Sequence, residues 1–395
     1  MFKYITYFLR KNSKVRVQVF YIFKFMLIIL GYFLSPVRRS KQIIVFSSFS
    51  GKAINDSPLI LWKKLRQSEK YQEWDFIWAV DSPVKFPEYK TVKIYGLRYF
   101  YTLLISKVWI TNVDMERGLC FKPNNVFYLN TWHAISLKHI GNSVPLRNDF
   151  NWSKVDYLCC SSEYEKEIFI NDFKANKDSI KMVGMPRNDV LCNVDHDMVI
   201  QKKNKLGFDD QDVIALYAPT WRESLDFGKS YVFDPGLDFI RLRDKYKGKI
   251  KIIFKPHPFI TKVVGIEFND FVIDGSSWDD INELYIIADF LISDYSSAFI
   301  DYSLLDRPFL CYAPDFDQFC ETRGFYVPLN DVMPFGVIKS QGDLENSLDV
   351  ILDPYFSDFT KIKEFSSKFI SFSGEATNAC IEELLLQVEM FDREK

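Results

Sequence analysis

Short apolar runs rich in Val, Ile and aromatic residues recur from residue 42 onward, each separated from the next by a stretch of helical periodicity. The first series is IIVFSS at 43–48, DFIWAV at 75–80, VWITN at 108–112, VFYLN at 126–130 and DYLCCS at 156–161. Continuous apolar runs suit strands covered on both faces, and parallel neighbours need helical crossovers between them. The segment 57–67 opens with Ser57-Pro58, a cap followed by a proline in the first turn, and predicts one such helix. A second series follows the polar patch DHDMVIQKKNK at 195–205: VIALYAP at 213–219, IKIIFKP at 250–256, FVID at 271–274, DFLISD at 289–294 and PFLCYAP at 308–314. The alternation predicts an α/β protein of two doubly wound halves, 41–200 and 201–395, facing each other across a cleft. A chain of 395 residues with 48% hydrophobic residues supplies core enough for both.

Ahead of the first strand the chemistry changes. No Asp or Glu precedes Asp56, whereas Lys3, Arg10, Lys11, Lys14, Arg16, Lys24, Arg38, Arg39 and Lys41 do, although the whole chain carries a net charge of only −2. Interleaved with these cations is VFYIFKFMLIILGYFL. Its uninterrupted part, Phe25 to Leu34, is shorter than the roughly 20 residues that cross a bilayer, and Lys24 breaks any longer version. No small-residue cleavage site follows, as a signal peptide requires. Residues 1–40 read as a basic, amphipathic membrane-binding segment lying on an anionic lipid surface, the bland alternative being a buried N-terminal helix. Aromatics between the charges argue against nucleic acid as a partner. The seven cysteines show no CxxC or Cys/His metal spacing, so they read as small apolar residues in a reducing compartment, with no metal site.

In open α/β sheets ligands bind beyond the carboxyl ends of the strands, and the motifs of this chain sit there. DYSSAFIDYSLLDRP at 294–308 puts Ser296 and Ser297 where a strand gives way to a helix, a natural anion site or an ordinary cap. FKPHP at 254–258 carries Lys255 and His257 to a strand end. YAPTWRES at 217–224 delivers Thr220, Trp221 and Arg222, which suit a base and a phosphate, or in the case of Trp221 simple packing. VGMPRNDVL closes the first half with Arg187 and Asn188. FSSFSGKAINDSP offers Gly51 for close backbone approach. NTWHAISLKHIG supplies His133, Lys138 and His139, in a chain with only four histidines. Cationic, hydroxyl and imidazole groups around one cleft suit a nucleotide diphosphate donor.

In this order FSSFSGK, TWHAISLK, VGMPRND, YAPTWRES, KPHP and DYSSAFIDYSLLDRPFLCY resemble the CDP-glycerol glycerophosphotransferase family, from about residue 42 to about residue 335. The resemblance implies a GT-B fold of two Rossmann-type domains: an acceptor-side domain at 41–200 and a donor domain at 201–395. It implies transfer of glycerol phosphate or ribitol phosphate from CDP-glycerol or CDP-ribitol to a hydroxyl of a lipid-linked or polymer acceptor. CMP is released, no cofactor is required, and teichoic acid or capsular polymer grows at the cytoplasmic face of the membrane. The family's two key histidines correspond to His133 and His257, and its diphosphate-binding serines to Ser296 and Ser297. Lys255, Thr220, Arg222 and Arg307 complete the expected donor site, Arg307 standing where lysine is common. Gly51, Lys138, Arg187 and Asn188 are expected in the acceptor side or cleft. His133 is expected to take the acceptor proton, His257 to stabilise pyrophosphate charge, and His139 to be structural. One departure is the loop after His133: Ala134-Ile135-Ser136 replaces the family's Gly-Thr-Pro. That change leaves donor and acceptor identity open. It also leaves two competitors, a sugar-nucleotide glycosyltransferase of the same fold and a membrane-bound assembly protein that keeps the pocket without turnover.

Overall fold

The computed structural model describes residues 13–116, 118–144, 147–220, 232–257, 260, 262–278, 280–372 and 374–393. The first half holds β1 (Ile43–Ser47), β2 (Asp75–Val80), β3 (Thr91–Lys93), β4 (Val108–Thr111), β5 (Phe127–Asn130), β6 (Tyr157–Cys159) and β7 (Ile180–Lys181). They form one sheet in the order β3-β2-β1-β4-β5-β6-β7, with every pair parallel. The second half holds β8 (Ile214–Tyr217), β9 (Val232–Phe233), β10 (Lys251–Phe254), β11 (Lys262–Val263), β12 (Val272–Asp274), β13 (Phe290–Ser293), β14 (Phe309–Tyr312) and β15 (Val337–Ile338). Six of these make a second parallel sheet, β12-β10-β8-β13-β14-β15, and β9 pairs with β11 apart from it. In each sheet the chain starts near the middle, builds to one edge, then returns to build the other. The strand order therefore reverses between β1 and β4, and again between β8 and β13, which is where such sheets open a crevice.

Each strand expected from the apolar runs is present. The central strands β1, β4, β5, β8, β13 and β14 are buried along their whole length, which is why their sequences run apolar rather than alternating. The short strands β3, β7 and β15 at sheet edges, and the β9/β11 pair, escape a reading based on apolar runs because two or three residues make no run. The helices Glu163–Phe173, His196–Lys205, Phe239–Tyr246 and Gln341–Ile351 start on side-chain caps, whereas Asp56–Arg66 and Leu97–Ile105 have none. Ser162, Asp195, Asp238 and Ser340 each accept from the amide three residues on.

The division at residue 200 needs one correction. The helix Ala376–Arg393 belongs to the first half's core, not the second's. Cys380, Leu384 and Val388 are buried against Ile44, Phe46, Leu61 and Trp78. Asp189 caps the start of this helix, accepting from the amides of Ala376 (3.1 Å) and Thr377 (2.7 Å). The outer face of the first sheet is apolar beneath it, and burying that face decides where the helix goes.

The N-terminal segment is a helix, Ser13–Phe33, followed by a short one, Ser35–Ser40. It is neither detached nor buried. Leu27 is in the first half's core, Phe23 packs edge-on against Phe100 at 5.1 Å, and Arg38 donates to the carbonyl of Leu104 at 2.5 Å. Phe25, Ile29, Tyr32 and Phe33 point outward, with Tyr32 81% exposed. No described helix is long and apolar enough to cross a membrane.

Candidate active site

The ends of β1, β4 and β5 converge on His133. Its Nδ1 lies 2.5 Å from the carbonyl oxygen of Asn112, just past β4. A carbonyl only accepts, so Nδ1 carries the proton and Nε2 keeps a free lone pair. The Asn112 side chain in turn accepts from the amide of Phe49, and the Phe49 ring stands edge-on to His133 at 5.4 Å. Trp132 packs against the other side of the imidazole at 4.1 Å. Phe49, Ser50, Asp56 and Trp132 all take left-handed backbone angles, with φ of 46°, 59°, 61° and 53°. Non-glycine residues rarely hold that region, and such strain concentrates at functional sites. Burial lowers the His133 pKa and Arg187 lowers it further. The Asn112 carbonyl and Asp56 oppose this, but the pKa stays below the ordinary 6.5, so the ring is neutral at pH 7.

The second half presents its own strand ends. Asp294, buried after β13, accepts from the amides of Thr220 (3.0 Å) and Tyr295 (2.6 Å) and so fixes the turns after β8 and β13 against each other. Ser296 and Ser297 follow, partly exposed. The Ser297 side chain makes no capping bond, while Ser296 Oγ accepts from the amide of Ala298 at 3.1 Å. Lys255 leaves β10 and donates to the carbonyls of Ser276 and Trp278. His257 is two residues further on. Burial first, then the charges of Lys138 and Lys52, lower its pKa to about 4. His257 is therefore neutral near pH 7 in the absence of a ligand. A diphosphate beside it would offset the two lysines and raise that value.

Lys138 and Lys52 belong to the first half, so their effect on His257 marks where the two sets of strand ends meet. The loop after His133 docks on the second half: Lys138 bridges to Phe325, and the amide of Tyr326 donates to the carbonyl of Leu137 at 2.9 Å. His139 packs on Tyr326 at 4.7 Å.

Several expected site residues are used differently. Arg307 sits at the start of β14, the opposite end of the strand from the site, and donates to the carbonyls of Ile286 (2.7 Å) and Ala288 (2.6 Å). It serves the helix Ile281–Ile287, whose terminal carbonyls need donors, and not the donor phosphates. Gly51 is required by packing, because a Cβ would meet the amide of Asp81 at 2.9 Å. What approaches it is the end of β2. Arg187 and Asn188 are buried between the halves in an ion-pair cluster with Asp56 and Asp301, not open to a cleft. Arg222 and Trp221 lie outside the described residues. Asp56, Asn112, Lys52 and Asp301 were missed. All four lie inside stretches that were read, Asn112 in VWITN, Lys52 and Asp56 in FSSFSGKAINDSP and Asp301 in DYSSAFIDYSLLDRP, but a single Asp, Asn or Lys there carries no periodic or spacing signal of its own.

Over residues 31–386 the chain matches the family described as CDP-glycerol:poly(glycerophosphate) glycerophosphotransferase. A teichoic acid glycerol-phosphate transferase of Staphylococcus aureus is 31% identical, covering 86% of this chain and 91% of its own length. A teichoic acid poly(glycerol phosphate) polymerase of Bacillus spizizenii is 29% identical over 88% of this chain and 93% of its own. Among solved structures, a histidine-to-asparagine variant of the wall teichoic acid polymerase TagF soaked with CDPG superposes with a TM-score of 0.77 at 26% identity, covering 94% of this chain and 99% of that one. Match length, identity and shared architecture agree: this chain belongs to the CDP-glycerol:poly(glycerophosphate) glycerophosphotransferase family.

Proposed function

We propose that the protein transfers glycerol phosphate from CDP-glycerol to a hydroxyl of a lipid-linked or polymer acceptor, releasing CMP, in teichoic acid or related capsular polymer synthesis. The acceptor oxygen attacks the β-phosphorus, the new P–O bond forms as the bridging P–O bond to CMP breaks, and the hydroxyl proton passes to Nε2 of His133. One observation carries this reading: the Nδ1 contact to Asn112 that leaves Nε2 of a neutral, strained-loop histidine as an acceptor. Thr220, Lys255, Ser296 and Ser297 at the second half's strand ends hold the donor, with His257 donating a hydrogen bond to the diphosphate. The outward apolar face of the helix Ser13–Phe33 and its flanking cations support a peripheral seat on the cytoplasmic face of the membrane. Glycerol rather than ribitol is favoured by identity among the relatives that match across most of the chain, 29% and 31% for two glycerol-phosphate enzymes against 25% for a ribitol-phosphate polymerase.

The test is nucleotide release with CDP-glycerol, CDP-ribitol and sugar nucleotides, each with a lipid-linked acceptor. CMP release from CDP-glycerol is expected. General-base catalysis contributes about 10²–10⁴-fold, and His133→Ala should lose that much turnover while calorimetric CDP-glycerol binding persists. Because the pKa of His133 lies below the ordinary 6.5, wild-type turnover should hold as pH falls to that value and drop only beneath it. Near-normal turnover by His133→Ala would remove the base assignment.

A further inference from the structure

The cluster around Arg187 joins three parts of the molecule. Its Nη1 donates to Asp56 at 2.8 Å, at the start of the helix Asp56–Arg66 in the first half. Its Nη2 donates to Asp301 at 2.7 Å, on the helix Ala298–Ser303 directly after Ser296 and Ser297. Asn188 donates to the other Asp301 oxygen at 2.6 Å, and Asn282, also in the second half, donates to the Arg187 carbonyl at 2.5 Å. The Arg187 amide reaches the Ser57 hydroxyl at 3.2 Å. All three charged side chains are at least nine-tenths buried.

Burial this deep is a poor way to gain stability, since apolar replacements of buried ion pairs are often neutral or stabilising. What a planar, forked guanidinium supplies between two carboxylates is fixed geometry. Asp56, moreover, holds a left-handed backbone in the loop that follows β1, beside the base. We propose that Arg187 is a positioning residue: with Asp56 and Asp301 it clamps the loops that carry His133 in register with the turn that binds the donor, so that the transfer step depends on it. This rests on the reading of His133 as the base.

The test uses the full chain with Arg187→Lys, Arg187→Gln, Asp56→Asn and, as reference, His133→Ala. Lysine keeps the charge but cannot fork to both carboxylates, and asparagine keeps a hydrogen-bond partner. Misplacing reacting groups by about 1 Å costs on the order of 100-fold, so Arg187→Lys and Asp56→Asn should lose 10- to 100-fold in kcat per folded molecule with CDP-glycerol affinity near wild type, even though altering one partner of a buried pair lowers the melting temperature. The pH profile adds a readout that a merely structural role would not move. Among the described residues the charged groups facing His133 are Asp56 and Arg187, and the aromatic rings of Phe49 and Trp132 are uncharged. Removing the carboxylate should shift the acid limb of kcat to lower pH, and removing the guanidinium should shift it to higher pH. If Arg187→Gln does not fold, Arg187→Lys and Asp56→Asn decide. Unchanged kcat in both, with His133→Ala inactive, overturns the clamp. So does a loss that merely follows lost folded protein. An active His133→Ala instead overturns the base reading on which it rests.

Discussion

At the scale of single residues, burial sets protonation, and Glu165 shows it clearly. The SSEYE stretch places Ser162 as the cap of the helix Glu163–Phe173, and Glu165 turns back to accept from the amide of Ser161 at 2.7 Å. The pairing is a variant of the capping box. The carboxyl is buried, its second oxygen has no hydrogen-bond partner among the described residues, and burial pushes its pKa from 4.5 up to about 8. The folded state thus holds a proton that the unfolded chain releases near 4.5. The stabilisation is full below that value and is lost as pH rises through about 8. Glu165→Gln keeps an acceptor and cannot ionise. Its melting temperature should match wild type at roughly pH 5 and exceed it at roughly pH 9, as read by calorimetry. A gap that does not widen with pH would mean the carboxyl is not held neutral. Arg307 shows what residue type alone leaves undecided. A cation near a serine-rich turn reads as a phosphate ligand, yet Arg307 enters its strand at the end away from the site and is spent on helix carbonyls.

At the scale of elements, the N-terminal helix has one docked face and one exposed face. Phe23 and Leu27 dock it to the first half, and Gly31 lets it lie close, since a Cβ there would meet the Leu104 side chain at 3.1 Å. Phe25, Ile29, Tyr32 and Phe33 are exposed. Replacing these four by serine should release the protein from anionic vesicles in flotation, with no fall in melting temperature. Added salt should weaken wild-type binding, because the basic contribution is screened beyond a Debye length of about 10 Å at 0.1 M. Deleting the whole helix would be the poorer experiment, because it also strips the cover from Phe100 and Leu104. Flotation of the four-serine variant at the wild-type level would remove the membrane role.

At the scale of the molecule, the last helix ties the ends of the chain together. Leu384 is fully buried among first-half residues, so Leu384→Ala should destabilise by about 2–5 kcal/mol in chemical denaturation. The tryptophan fluorescence of Trp74 and Trp78, which share that core, should report the loss. If their transition did not move, the helix would not be part of the first half's cooperative unit.

The apolar runs were legible because a parallel sheet covered on both faces needs them at each central strand, whatever the rest of the fold does. Hence the strands, the two halves and the strand-end motifs, with His133, His257, Ser296 and Ser297 among them, could be read along the chain. Relations between distant residues could not. Asp56, Arg187 and Asp301 become one cluster only when two sheets face each other, and the helix Ala376–Arg393 finds its place only because the first half leaves an apolar face uncovered. Local chemistry is written residue by residue. Which donor meets which acceptor, and which surface is left to bury, depends on contacts between residues far apart in the chain, and these exist only after folding.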